Sequence, residues 1–259
     1  MNCPNCNAEI PEGSRFCSRC GVAAQPSEAV AHLDFTGTPA QWLGWTLLGI
    51  VSLVVVIPYA WALAASTRWF CRHLKFSDGT TAAFRGTGGQ IAGWIILYLI
   101  LNVAARLAYT PAALQRFGNA LLVLPVIFYL FVAPAIILKV VHWSVSHFQL
   151  SSGPQLSFDG SYWGVLGWLL LMGVSIYSIV GWAWAEAGFF RWYARHTHGD
   201  GIRFQFHGKG QQILWRTLVT ILACVLVIPI PWMVIWYARW FIQNVSMARI
   251  AQTAMAAPA

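Results

Sequence analysis

Four cysteines near the N-terminus have the types and spacing of metal ligands. Cys3, Cys6, Cys17 and Cys20 form two C-x2-C pairs that are separated by ten residues. Zinc binds four such donors as a tetrahedron, and each C-x2-C turn presents two thiolates to the same ion. Two disulfides are the alternative in an oxidising compartment, but paired C-x2-C turns in so short a polar segment favour zinc. We therefore predict that these four thiolates bind Zn²⁺.

The cysteine segment also resembles the short zinc ribbons found at the ends of bacterial proteins. The resemblance implies a zinc ribbon over residues 1–22, and the small and polar residues 23–33 are predicted to form a linker. Two roles remain open for the ribbon. It is either a docking module for a macromolecule or a structural cap that is folded by its metal. As a docking partner we expect a protein and do not expect nucleic acid.

Glu186 is an acidic residue inside an apolar segment of the chain. A carboxylate in such a segment is a candidate intramembrane polar site, for example for a proton or a cation. The alternative is structural, with Glu186 paired with Arg191 or Arg216 or lying near lipid headgroups. We favour the structural alternative and keep Glu186 as a candidate site.

No pattern of residues predicts an enzyme. The histidines show neither H-x3-H nor H-E-x-x-H spacing, and the stretches GTGGQ and GKGQQ are not phosphate-binding loops. No Ser-His-Asp or Cys-His arrangement can be assigned. Cys71 and Cys224 lie in or beside apolar segments and are predicted to be packed thiols. We therefore assign no catalytic residue.

The composition indicates a membrane protein. Hydrophobic residues make up 58% of the chain and charged residues 9%, whereas a soluble domain has about 25% charged residues. The apolar residues form long blocks, as membrane spans require. The net charge of +8 comes from basic residues beside these blocks, which is typical of cytoplasmic loops and of contact with anionic lipid headgroups. The basic residues predicted at the membrane interface are Arg68, Arg72, Arg191 and Arg195.

The chain contains a long internal match. Residues from Phe35 to His73 align without a gap with residues from Phe158 to His196, and the match resumes at the Asp-Gly pairs 78–79 and 200–201. We interpret it as a tandem duplication, with repeats over 34–150 and 151–250 and a tail over 251–259. The identical pairs include Gly44/Gly167, Trp45/Trp168, Arg68/Arg191, Trp69/Trp192 and Arg72/Arg195.

Each predicted repeat has the same order of elements: an F-x-G strand, an apolar helix, a Trp- and Ala-rich segment, and a β-hairpin at Asp-Gly. Because both hairpins are basic, both are expected in the cytoplasm, and an even number of crossings must separate them. This gives about eight membrane segments with both termini inside, although 58–73 and 181–194 could instead be re-entrant. The predicted fold is a mainly α, polytopic helical membrane protein with two tandem repeats and small cytoplasmic β-hairpins.

These features resemble the YjgN-like family of bacterial inner-membrane proteins. The resemblance lies in the paired F-x-G entries, the Trp-Ala segments, the Asp-Gly hairpins, and the stretches FRGTGGQI and FHGKGQQI, over roughly residues 34–250. It implies a multi-pass protein of the bacterial inner membrane in contact with lipid. It transfers no catalytic residue.

Two functions follow from these features. The first is a transport or membrane-remodelling module with a zinc-binding cytoplasmic cap, and the second is a membrane-anchored scaffold or sensor that recruits a partner through the ribbon. A polar cavity that contains Glu186 would favour transport. A sealed apolar interface between the repeats, with an exposed apolar patch on the ribbon, would favour the scaffold. The oligomeric state is not specified by the sequence.

Overall fold

The computed structural model describes residues 29–55, 58–151, 153, 155–225 and 229–249, together with positions 6, 8, 9, 19 and 20. The strands are β1 (Ala29–Phe35), β2 (Leu74–Phe76), β3 (Ala82–Phe84), β4 (Phe148–Leu150), β5 (Ser157–Phe158), β6 (Thr197–Gly199), β7 (Ile202–Phe206) and β8 (Val245–Arg249). The α-helices are α1 (Pro39–Val55), α2 (Tyr59–Arg72), α3 (Gly88–Leu107), α4 (Pro111–Phe117), α5 (Val123–Ile127), α6 (Ala133–Ser146), α7 (Tyr162–Ser175), α8 (Trp182–Arg195), α9 (Gly210–Cys224) and α10 (Ile230–Gln243).

A strand–helix–helix–strand unit occurs four times in these residues. The units are β1–α1–α2–β2, β3–α3–α6–β4, β5–α7–α8–β6 and β7–α9–α10–β8, and we call them the first to fourth units. In the second unit α4, α5 and two short helical turns separate the paired helices. Two of these units fall in each of the predicted repeats, 34–150 and 151–250, although β1 begins before residue 34. In each of the four units, the two strands pair with each other antiparallel.

The first three units are closed by the same contact between the first strand and the second helix, whereas in the fourth unit Phe206 packs against Phe241, with ring centroids 5.0 Å apart. In the first three, the phenylalanine of an F-x-G sequence packs against a tryptophan, and the glycine lies beneath the phenylalanine ring. A Cβ atom on Gly86, for example, would lie 2.5 Å from the Phe84 ring and 2.7 Å from Trp143. The Phe–Trp ring centroids are 5.7 Å apart for Phe35 and Trp69, 5.2 Å for Phe84 and Trp143, and 5.8 Å for Phe158 and Trp192.

The residue four positions after this tryptophan, or after Trp240 in the fourth unit, ends the helix in each unit. Its side chain bonds the tryptophan carbonyl, and its own carbonyl accepts a hydrogen bond from the N–H of the residue after the phenylalanine. Because a carbonyl only accepts, the histidine Nδ1 carries the proton in these bonds. The side-chain distances are 2.8 Å for His73, 2.8 Å for His147, 2.8 Å for His196 and 2.7 Å for Asn244.

The units join into a closed ring. Helix α2 packs on α3, α6 on α7, α8 on α9, and α10 on α1, so that the last unit contacts the first. The strands join as well: β2, β1, β8, β7, β6 and β5 form one six-stranded antiparallel sheet in this order, and β3 pairs with β4. The β-hairpin predicted at Asp200-Gly201 is present, since β6 pairs antiparallel with β7, but the strands are not separate hairpins. They form a shared sheet, because β1 pairs with β8 from the other end of the chain.

The predicted polytopic helical membrane fold with about eight crossings is wrong. A six-stranded antiparallel sheet is a principal part of the structure. Within the described residues, two helical stretches are long and apolar enough to cross a membrane, Gly88–Leu107 and Asn119–Ser146. The apolar helices Pro39–Val55 and Tyr162–Ser178 are shorter than the roughly 20 residues of a full span. Much of the apolar composition instead forms the core between helices and sheet.

The segment predicted as a linker is partly strand. Strand β1 begins at Ala29, inside the predicted linker 23–33, and pairs with β8 from its first residue. Residues 21–28 and 250–259 lie outside the described part, and so does the predicted tail 251–259. The end of the ribbon is therefore a short distance along the chain from the sheet.

Candidate functional site

The predicted zinc ligands fall mostly outside the described residues. Cys6 and Cys20 are described and are both partly buried, whereas Cys3 and Cys17 are not described. Among the described residues no group of three or more His, Cys, Asp or Glu side chains could hold a metal ion. The fit to zinc therefore depends on the donor chemistry. Four thiolates in two C-x2-C turns are a complete ligand set for a structural zinc ion.

Glu186 lies on α8 and is partly buried. On α10, Tyr237 is close enough to interact electrostatically with both Glu186 and Arg216. Within the described part Glu186 makes no ion pair shorter than 4.0 Å, so the predicted pairing with Arg191 or Arg216 does not occur as a direct ion pair. Glu186 thus belongs to a polar group between α8 and α10.

Arg216 is held by aromatic rings. Its Cζ atom lies 4.4 Å from the ring centroid of Trp240 and 5.3 Å from that of Trp236, which are cation–π distances. Its Nε atom is buried and has no hydrogen-bond partner. The rings therefore provide the main stabilisation of this guanidinium group.

The basic residues predicted at a membrane interface also make contacts inside the protein. Arg68 donates from Nη2 to the carbonyl of Gly86 at 2.8 Å, which links the first unit to the second. Arg191 donates from Nε to the carbonyl of Ala187 at 3.0 Å, and Arg195 donates to that of Arg191 at 3.3 Å. Arg72 ends α2 and is exposed. Arg68 therefore joins units, while Arg72 and Arg195 present charge to the surroundings.

The sequence analysis missed Arg239, which closes the ring. Its Nη2 donates to the carbonyl of Gly37 at 3.2 Å and so joins the fourth unit to the first. A signal for it was present. Arg239 precedes Trp240 as Arg68 precedes Trp69, and Trp240 follows Phe206 by 34 residues, the same spacing as between Phe35 and Trp69.

A cavity of about 340 Å³ lies between the second helices of the four units. Each of these helices contributes residues to it, and the sheet contributes others. No charged side chain lines the cavity, and Glu186 is not part of its wall. Thr67 and Thr197 line it, but their hydroxyls donate to the helix carbonyls of Leu63 and Tyr193 at 2.8 and 3.0 Å. The interior of the ring is therefore apolar.

The turn between β2 and β3 is tied to the last strand. Asp78 forms an ion pair with Arg249 at 3.1 Å, and Arg249 donates to the hydroxyl of Thr80 at 2.6 Å. Partial burial acts to raise the pKa of the Asp78 carboxyl. Hydrogen bonds from the amide and hydroxyl of Thr80 and the charge of Arg249 outweigh that effect, so the pKa lies below its ordinary value. The ion pair therefore links the first and last units.

The surface has a mainly basic part at the sheet and a mainly apolar part at the outer helix ends, where the exposed Arg106 and Arg116 also lie. Helices α1, α3, α7 and α9 each begin just after a strand, so their C-terminal ends lie farthest along the helix from the sheet. Large apolar side chains are exposed there: Val54 is 80% exposed, Ile179 84% and Val225 76%. Contiguous exposed apolar surface can mark a site of protein–protein or membrane contact. The basic residues on or beside the sheet are Arg68, Arg72, Lys75, Arg85, Arg191, Arg195, Arg203, Lys209, Arg239 and Arg249.

These features define a class of protein, a zinc-ribbon chain whose body is a ring of four strand–helix–helix–strand units with one apolar surface. Residues 2–21 match the family model of a zinc-ribbon domain, a class that generally binds zinc. The match covers only the N-terminal segment and does not extend to the ring. No curated protein and no solved structure matches the chain, and none of the comparisons matches the YjgN-like family that the sequence resembles.

Proposed function

We propose that this protein is a membrane-bound scaffold that presents a zinc ribbon to a protein partner. The division of its surface carries the proposal. Exposed apolar side chains at the outer helix ends suit lipid hydrocarbon, and the basic residues at the sheet suit anionic headgroups. The resemblance to the YjgN-like family supports a location in the bacterial inner membrane.

The position of the ribbon follows from the same division. The N-terminal strand β1 and the C-terminal strand β8 are neighbours in the sheet, so both ends of the chain leave from the charged side. Basic residues near membrane segments favour the cytoplasmic face. The ribbon is thus proposed to face the cytoplasm, where its thiolates remain reduced and available to zinc.

The apolar interior supports a scaffold over a transporter of polar solutes. A route for an ion or a polar solute needs polar groups along it, because burial of an unpartnered charge is costly. The cavity between the four units has no charged wall residue, and Glu186 lies outside it. This cavity is therefore not the Glu186-containing polar cavity that would favour transport.

Flotation with vesicles tests the lipid contact. The full chain should float with vesicles that contain anionic phospholipid and resist extraction by salt. Val54→Lys places a charge on the apolar surface and should reduce the floating fraction, whereas Val30→Lys, on β1 at the sheet, is the matched control and should float like the unchanged chain. Equal flotation of both variants would refute the proposed orientation.

Photocrosslinking from the ribbon tests recruitment. A photoreactive residue at Glu9, which is exposed, should give a protein adduct in cells, and the adduct should disappear in Cys17→Ser. Removal of residues 2–21 should leave the body in the membrane fraction. An unchanged adduct after loss of the zinc ligand, or an adduct to nucleic acid, would contradict the proposal.

A further inference from the structure

We propose that the cavity between the four units binds one unbranched hydrocarbon chain, from a lipid or from a free fatty acid. The cavity is formed by residues that occupy equivalent positions in the four units, directly after the equivalent tryptophan of each second helix. These include Phe70, Ser144, Tyr193 and Phe241. Leu33 from β1 contributes from the sheet. The site therefore belongs to the ring as a whole.

The size of the cavity fits part of an acyl chain. Protein interiors have few voids larger than a water molecule, so a void of about 340 Å³ is large for a packing defect. It lies within the range of small-molecule sites, about 300–1,000 Å³. A methylene group is similar in size to a water molecule, whose share of liquid volume is about 30 Å³. The cavity would thus hold roughly ten such groups.

The chemistry of the wall selects a hydrocarbon. Apolar cavities of this kind stay dry and bind apolar molecules, because water inside would lose its hydrogen bonds. Four residues of the wall carry a hydroxyl, Thr67, Ser144, Tyr193 and Thr197, and those of Thr67 and Thr197 already donate to helix carbonyls at 2.8 and 3.0 Å. Cys71, also in the wall, is buried and adds a weakly polar thiol. No charged side chain is present to bind a headgroup, so the head of the amphiphile must remain outside.

An unbranched chain is the occupant that the surroundings supply. This step rests on the proposed membrane location, since lipid around the exposed helix ends provides acyl chains at high local concentration. Free fatty acid has the same chain chemistry and would not need the membrane. The two sources differ in the headgroup that accompanies the chain, which is measurable.

The test uses the full chain purified in a detergent without alkyl chains. Extraction and mass spectrometry should find about one bound amphiphile per protein, either a lipid with a phosphate headgroup or a free fatty acid. Titration with cis-parinaric acid, a fluorescent unbranched fatty acid, should show saturable binding. Val145→Phe should fill the cavity and weaken this binding at least tenfold. Leu47→Phe is the control on the exposed surface of α1 and should bind like the unchanged chain.

Ala194→Leu adds a smaller side chain to the same cavity and serves as a second variant in case Val145→Phe does not fold. Thermal unfolding of each variant checks the fold. The proposal would be overturned if the purified protein carried no lipid or fatty acid and did not bind the probe. It would also be overturned if both cavity variants bound the probe as tightly as the unchanged protein. Vesicle flotation of the cavity variants should be unchanged, because their outer surface is the same. Loss of chain binding with intact flotation therefore separates this inference from the membrane proposal.

Discussion

The closure of each unit by an F-x-G sequence makes a sharp prediction for Gly86. In Gly86→Ala the new Cβ would lie 2.5 Å from the Phe84 ring and 2.7 Å from the Trp143 ring. Both rings are buried, at 5% and 8% exposure, so they cannot move away without disturbing the core. Overpacking of this kind costs about 1–3 kcal/mol. For a chain of this size we expect the Tm to fall by about 2–4 °C for each kcal/mol.

Two neighbouring glycines give a matched series. Gly89 has no atom within 4 Å of its would-be Cβ, so Gly89→Ala should be neutral or stabilise the helix by about 0.4–1 kcal/mol. Gly88 faces backbone as well as side-chain atoms of Trp61, at 2.6 Å from Cα. Because backbone yields less than a side chain, Gly88→Ala should destabilise the protein at least as much as Gly86→Ala.

Denaturant unfolding in mild detergent, followed by tryptophan fluorescence, measures the series. The expected order of stability is Gly89→Ala, then Gly86→Ala, then Gly88→Ala. If Gly86→Ala unfolded at the same denaturant concentration as Gly89→Ala, the close contact between Phe84, Gly86 and Trp143 would not be what closes the second unit.

Three further predictions concern other parts of the chain. The pKa of Asp78 is lowered, so its ion pair with Arg249 stabilises the fold above the ordinary carboxyl pKa, and this stabilisation is lost as pH falls through the lowered pKa. Asp78→Asn should therefore remove up to about 1 kcal/mol of stability at neutral pH and make the stability less dependent on acid pH. Unfolding at several pH values measures both effects, with Asp200→Asn as the control. His196→Asn should keep the bond to the helix carbonyl that Asn makes in the fourth unit, whereas His196→Ala should cost about 0.5–1.5 kcal/mol; equal Tm values for the two would contradict this role. Cys17→Ser should reduce bound zinc from about one ion per chain to near zero by elemental analysis, while the unfolding of the body stays unchanged.

Part of the fold was predictable from local sequence. The Asp-Gly turns at 78–79 and 200–201 were predicted because glycine accepts positive φ, and Gly79 and Gly201 have φ values of 79° and 71°. The strands with F-x-G at Phe35 and Phe158 were also predicted, and both are strands. These elements follow from a few adjacent residues, so no distant contact was needed to infer them.

The second and fourth units were not predicted, for two different reasons. In the second unit an inserted helical segment, which includes α4 and α5, separates Phe84 from Trp143 by 59 residues instead of 34, which hides the match from an ungapped alignment. The fourth unit has the usual spacing, but Asn244 stands where the other units have histidine. The shared chemistry is the side-chain N–H donor to the helix carbonyl, which Asn and His both provide.

The sheet could not be predicted because its pairing is non-local. Strand β1 pairs with β8, which lies more than 200 residues away in the chain, and no local pattern specifies that partner. The same pairing explains the error in the predicted fold. Both helices of each unit were counted as membrane segments, although the second helices pack with the strands in one core. The cavity was missed for the same reason, because its wall requires all four units.

The cavity itself depends on unequal side-chain sizes at equivalent positions. The two residues after the equivalent tryptophan are Phe70 and Cys71 in the first unit and Phe241 and Ile242 in the fourth. The second and third units instead include the small residues Ser144 and Ala194 at these positions. Four identical large pairs would fill the space between the helices, as close packing of protein interiors favours. The void therefore exists because three of the four units have a small side chain there, Cys71, Ser144 or Ala194, and enlarging one of them is the direct way to close it.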